Sequence, residues 1–374
     1  MFIYFFVAFV LIFLHNNSGI PKKTQLVFLF FVAMFLCGGY MCGSDWRGYE
    51  EDYTEDSIIY EPGYYFLAKI ARQLGFGFWG FEILLKFVCL VFFYKYINRH
   101  CNNNKYLCML FYFSFYAIYL FIDGPLRNLC AITLFIIALD VYERSKTSAI
   151  IISLLGMLFH SSAIISCVYF FARLISEKKN IGTWIYVAVY VLALFVSFQG
   201  SMLVELANQT TIGQLLFAEK LDRYVVKGFS EASMVSSPTS LGELLRTFFF
   251  FLVLSRRKQI EAIQEGKTLF FSAMIYFIIS KLAASMDVLM RFECYFSIFY
   301  AIVLTVMIDV ITPSLKKMYK TSFIVLSLMF TYTTITTDYR FVPYSNYFVY
   351  LIFHQPLPSY NERFNYNFIH SPYK

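Results

Sequence analysis

Apolar runs recur along almost the whole of this 374-residue chain, near 2–14, 25–42, 79–97, 106–122, 126–142, 148–172, 181–200, 241–255, 268–286, 292–311 and 320–337. Most approach the roughly 20 residues that a helix needs to cross a hydrocarbon core about 30 Å thick. A single soluble core has no room for 45 Phe and 30 Tyr in a composition that is 59% hydrophobic and 15% charged. The expectation is an all-α polytopic integral membrane protein with about 10–11 transmembrane or re-entrant helices, organised as one transmembrane domain over 1–374. Too little chain remains for a soluble catalytic domain, which excludes a nucleotide-handling enzyme with a long cytoplasmic half.

Charge gives the orientation. Lys22/Lys23, Lys95/Arg99/Lys105, Arg144/Lys146, Arg173/Lys178/Lys179, Arg256/Arg257/Lys258/Lys267 and Lys316/Lys317/Lys320 form six short basic connections that hold 17 of the 31 basic residues. By the positive-inside rule these face the cytoplasm. The net charge of +7 therefore reads as an orientation signal, with no nucleic acid implied. The complementary segments face outward: an acidic loop over 43–78, a lid over 201–240 and the tail over 338–374. Both ends of the 148–172 run are basic, so a single crossing conflicts with the rule. A broken or re-entrant element around Gly156 and His160-Ser161-Ser162 resolves the conflict, because irregular backbone at that depth is tolerated where it is buried in protein or lines a wet cavity. The run at 2–14 lacks a basic leader and a cleavage site, and reads as a retained first span.

The eight cysteines are scattered, without metal or disulfide spacing. Gly75-x-Gly77-x-x-Gly80 has the dinucleotide pattern but no strand before it. No Asp-x-Asp, Walker loop or Gly-x-Ser-x-Gly elbow occurs, and neither a cofactor nor a metal is expected.

Ionisable groups near the hydrocarbon cost about 2.5–3.5 kcal/mol each and are usually paired or functional. Glu82/Lys86 and Asp287/Arg291 have the four-residue spacing that lets a helix neutralise its own charge, although Glu293 and Tyr295 add polar groups beside Arg291. Asp123-Gly124-Pro125 is a helix-start signal with Asp123 as the cap, which places Arg127 about one turn into a helix entering from outside. A guanidinium beside the free amides of a helix start makes a phosphate-suited anion site. His160 lies in a stripe of small residues, Ser153, Gly156, Ala163 and Cys167, that would let another helix approach and turn the imidazole inward. Gly43-Ser44-Asp45-Trp46 and Glu61-Pro62-Gly63-Tyr64 flank the acidic loop, with carboxylates and rings suited to sugar contact or general-base work.

Gly43-x-Asp45 with Tyr49, Glu61-Pro62-Gly63-Tyr64, Leu126-Arg127-Asn128 with Ala131, and Phe159-His160-Ser161-Ser162-Ala163, in this order among these spans, resemble the EpsG/Wzy-type bacterial polysaccharide polymerases. Arg291 with Tyr295 and the late Pro343-Tyr344 resemble them too. The resemblance implies an enzyme of the bacterial cytoplasmic membrane that joins polyprenyl-diphosphate-linked repeat units into O-antigen, capsule or exopolysaccharide at the outer face. A chain-length regulator and a flippase would be its partners.

Joined to that reaction, Arg127, assisted by Arg291 and Arg223, would neutralise the leaving diphosphate. Asp45 and His160 are the candidate bases, with Asp45 favoured by its outer position and His160 left to orient a phosphate or shuttle the proton. Trp46, Tyr49, Tyr64 and Tyr224 would stack on sugars, and Glu61 would bind them. A flippase, an O-antigen ligase and a membrane acyltransferase are the rival readings.

Overall fold

The computed structural model describes residues 1–17, 19–56, 61–178, 181–198, 240–284 and 287–373, omitting the side chains of 102, 178, 287 and 288. The chain is all-α. In order it forms α1 (Phe2–Asn16), α2 (Lys22–Cys37), α3 (Trp46–Glu55), α4 (Pro62–Gln73) and α5 (Phe78–His100), then α6 (Lys105–Tyr112), which runs on as a π-helix over Phe113–Asp123. Next come α7 (Leu126–Tyr142), α8 (Lys146–Gly156), α9 (Ile164–Lys178), α10 (Thr183–Phe198), α11 (Leu241–Ser255), α12 (Arg257–Glu261), α13 (Gly266–Ala283) and α14 (Asp287–Val310). The last are α15 (Pro313–Thr337), α16 (Tyr347–Ile352) and α17 (Tyr360–His370). Among the described residues no strand forms beyond a single bridge between Gly39 and Asn346.

Each apolar run overlaps at least one helix. Three stretches, Lys105–Asp123, Gly266–Ala283 and Leu289–Val310, are long and apolar enough to cross a membrane by themselves. Elsewhere the lipid signature is apolar residues on both faces. In α1, Tyr4, Val7, Leu11 and Leu14 pack inward while Phe2, Phe6, Phe9 and Phe13 are exposed at helical spacing. Such a helix suits a protein with hydrocarbon outside it. The chain is a multi-pass membrane protein.

The 148–172 run is broken into two helices, α8 and α9. α8 has 11 residues, about 16 Å of helix and roughly half a bilayer core. Its end tightens into three-residue bonds, with the amides of Leu158 and Phe159 donating to the carbonyls of Leu155 and Gly156, and His160 is fully extended. The small-residue stripe therefore does not run along one helix face. Gly156 still permits a close approach, since a Cβ there would lie 3.2 Å from that of Ala163 and 3.7 Å from the carbonyl oxygen of Ala131 in α7.

Two compact units emerge, 1–168 with 311–374, and 169–310. The first contains α1 to α8 and α15 to α17. At one end of its helices, beneath α3 and α4, lies an aromatic core that includes Tyr40, Trp46, Tyr49, Tyr64, Trp79 and Phe81. The second unit packs through stacked rings, Tyr190 on Phe250 at 4.0 Å and Tyr276 on Tyr300 at 4.4 Å. It also encloses charge: Lys281 donates to Glu243 at 2.7 Å, and Arg246 pairs with the same carboxylate and approaches Glu293 at 4.0 Å.

Candidate active site

α7 begins at Leu126, so Arg127 lies in its first turn, at the positive end of the helix. The expected cap is absent. Pro125 occupies the cap position without any side-chain bond, and Asp123 instead accepts from the amide of Ser44 at 2.5 Å and from its hydroxyl at 3.2 Å. The helix starts later than the Asp-Gly-Pro signal implies: Asp123 is still the last residue of the preceding π-helix, and Gly124 in the left-handed region separates it from α7. Gly43 makes this contact possible: its φ is +80°, and a Cβ there would fall 2.4 Å from the Asp123 Cα.

The Arg127 side chain is held from two sides. Its Nε donates to the Tyr49 hydroxyl at 3.2 Å, and its guanidinium pairs with Glu61. Tyr49 comes from α3, and Glu61 is the residue immediately before α4, with Pro62 in that helix's first turn. Burial pushes the Glu61 carboxyl upward, but Arg127, its own backbone amide and His160 together outweigh this and hold it below its usual range. For Tyr49, burial dominates over the pull of Arg127, and the phenol is pushed up to about 12.

The break after α8 joins the same group through backbone contact. Gly63 brings the backbones together, its amide donating to the Leu158 carbonyl at 2.7 Å. His160 is buried, and its Nδ1 lies 3.1 Å from the Ser162 amide and 2.6 Å from the Ser162 hydroxyl. An amide can only donate, so Nδ1 accepts and the proton of the neutral ring is on Nε2. Ser162 in turn bonds Asn128, the neighbour of Arg127, at 2.9 Å.

Asp45 is exposed at the start of α3, one turn and roughly 6 Å before Tyr49. It faces a second group that the sequence did not single out. Arg340 makes a forked contact with Asp338 at 2.6–3.0 Å, donates to Ser44 at 2.8 Å and lies 3.6 Å from Asp123. Arg340 also lies within the electrostatic reach of Asp45.

The structure therefore brings Arg127, Glu61, Tyr49 and His160 together, with Tyr64 against Tyr49 at 5.2 Å and Asp45 one helical turn away. Trp46, Tyr49 and Tyr64 are buried, so their ring faces serve the protein's own packing and do not form the open stacking surface expected of them. Arg291 belongs to the second unit, and Arg223, Tyr224 and nearly all of the 201–240 lid fall outside the described residues, as does the Asp287 side chain. Glu82 and Lys86 do pair, at 2.5 Å, both buried within α5. Their pair lies under the turn at Gly124, where a Cβ would come within 2.9 Å of the Lys86 Nζ.

Among the described residues no group of three or more His, Cys, Asp or Glu is placed to hold a metal ion. No curated protein and no solved structure matches the chain. The description of the EpsG family matches residues 22–346. This span includes every element of the Arg127 group and the Arg340 clasp, and with it the chain belongs to the EpsG family, a membership that indicates a polysaccharide polymerase in the membrane.

Proposed function

We propose that the protein transfers a glycan from polyprenyl diphosphate onto another lipid-linked repeat unit at the outer face of the cytoplasmic membrane. The observation that carries this reading is Arg127 in the first turn of α7, oriented by Glu61 and Tyr49, with His160 held through Ser162 to Asn128, the next residue of that turn. A guanidinium at the positive end of a helix dipole supports binding of a diphosphate whose charge grows as it leaves. In the transfer, the bond from the anomeric carbon to the diphosphate oxygen breaks and takes its electron pair to the phosphate. The acceptor hydroxyl oxygen bonds to that carbon and gives its proton to a base.

The tautomer supports a division of labour. With its proton on Nε2, His160 is a donor, suited to a phosphate oxygen. Exposed Asp45 is then the base, and Glu61, held below its usual range, is a weak base suited to orienting Arg127. Arg291, Arg223 and Tyr224 are assigned to substrate binding. The positive-inside rule puts the basic helix ends in the cytoplasm, which leaves the Arg127 end outside.

The test is Arg127→Ala, His160→Ala and Asp45→Asn, each checked for membrane insertion, with polymer ladder length read on a gel. Ladders of normal length from all three would overturn the site. Loss of the protein should leave single-unit glycan on lipid at the outer face. A flippase defect would strand it inside, and a ligase defect would leave long chains on lipid.

A further inference from the structure

Within the first unit, α1, α2, α5 and α6 enclose a cavity of about 270 Å³ with an almost wholly apolar wall, built from residues such as Leu11, Phe30, Ala33, Phe87, Val91 and Met109. Leu26, Leu29 and Tyr94 line both this cavity and a second one of about 540 Å³, so the two adjoin. The second is polar and basic, with His15, Lys22, Gln25 and Lys105 in its wall. Among the described residues no carboxylate lines either cavity. Lys105 donates to Asn98 at 3.0 Å, and the Tyr106 hydroxyl donates to Gln25 at 2.5 Å, which fixes the floor of the basic part while Lys22 is exposed at its rim.

An apolar groove that opens into two lysines with no opposing carboxylate complements one chemistry, an acyl chain ending in a phosphate. We propose that this groove holds one anionic phospholipid, its chains against α2 and α5 and its phosphate between Lys22 and Lys105. The basic mouth is at the Lys22 end of α2 and the His100 end of α5. Arg127 and its partners are at the opposite ends of these helices, beyond Cys37 and Phe78. A polyprenyl diphosphate with its head at Arg127 would not place phosphate at Lys22, so the occupant is a lipid of the leaflet that the basic connections face.

The experiment is native mass spectrometry of the full chain in detergent, titrated separately with phosphatidylglycerol, phosphatidylcholine and undecaprenyl phosphate. One phosphatidylglycerol should be retained in preference to phosphatidylcholine. The pair Lys22→Gln with Lys105→Gln should weaken its retention about 30-fold, the loss expected of two lysines facing an anionic lipid. Ala33→Trp, which fills the apolar part, should displace it with both lysines intact. Arg256→Gln with Lys258→Gln, which removes basic residues elsewhere, should retain it. Equal retention of phosphatidylcholine, undiminished phosphatidylglycerol in the lysine pair, or retention of undecaprenyl phosphate in its place would overturn the proposal. Thermal melting of each variant checks folding, and the lysine pair decides the outcome if Ala33→Trp does not fold.

Discussion

The amide of Gly63 donates to the carbonyl of Leu158 at 2.7 Å, which stitches the first turn of α4 to the end of α8 two residues before His160. A Cβ at Gly63 would lie 2.7 Å from that carbonyl oxygen and 3.1 Å from its carbon, so backbone must shift. Gly63→Ala should cost about 1–3 kcal/mol and shorten the polymer ladder at normal insertion. Gly77→Ala, where nothing lies within 4 Å, is the control and should leave ladders unchanged.

Arg127 contacts Tyr49 and Glu61 through different nitrogens, an arrangement that a point-like ammonium does not reproduce. In proteoliposomes, Arg127→Ala should lower turnover by about 10²–10³, and Arg127→Lys should recover only part of it. Full recovery by Lys would show that charge alone matters there.

The runs that became helices were legible because lipid demands continuous apolar sequence. The convergence of Glu61, Arg127 and His160 was legible only through short motifs resembling a family. Contacts between distant positions left no local trace: Arg340 and Ser44 are 296 positions apart, and Arg363 and Glu50 are 313. In the second unit, Glu243 and Lys281 are 38 apart on different helices. Asp123 was misread because an Asp-Gly-Pro signal does not say whether the Asp opens the next helix or closes the one before it, and here it closes one. Trp46 was misread because an aromatic residue beside a carboxylate looks the same in sequence whether it faces solvent or is covered by the tail.

Glu61 sets a pH dependence. A carboxyl held below its ordinary value contributes stability fully above that value and loses it as pH falls through the lowered one. Its ordinary value is 4.5, so the difference in melting temperature between the native chain and Glu61→Gln should hold steady down to about that pH and vanish only below it. A difference that disappears well above 4.5 would show that Arg127 does not hold the carboxylate in solution.

Ser162 holds the His160 ring through its amide, which donates to Nδ1, while its hydroxyl, 2.6 Å from Nδ1, donates to Asn128. Ser162→Ala keeps the amide but removes the link to Asn128. It should cost about 0.5–1.5 kcal/mol of positioning, read as roughly a tenfold fall in turnover with the ladder pattern retained. An effect as large as that of His160→Ala would mean that Ser162 itself touches substrate.

The α17 helix sends Arg363 back among Tyr40, Trp46, Trp79 and Tyr360, all with ring centres within 6.0 Å, and onto Glu50 at 2.6 Å. α3, which carries Tyr49, is thus clamped by residues of α17, with Arg363 lying 313 positions after Glu50. Until those residues emerge, the Glu50 carboxylate and the surrounding rings lack their cation. The candidate site is therefore completed only after α17 has been made, and a chain cut before α17 loses that clamp even though no proposed catalytic side chain is removed.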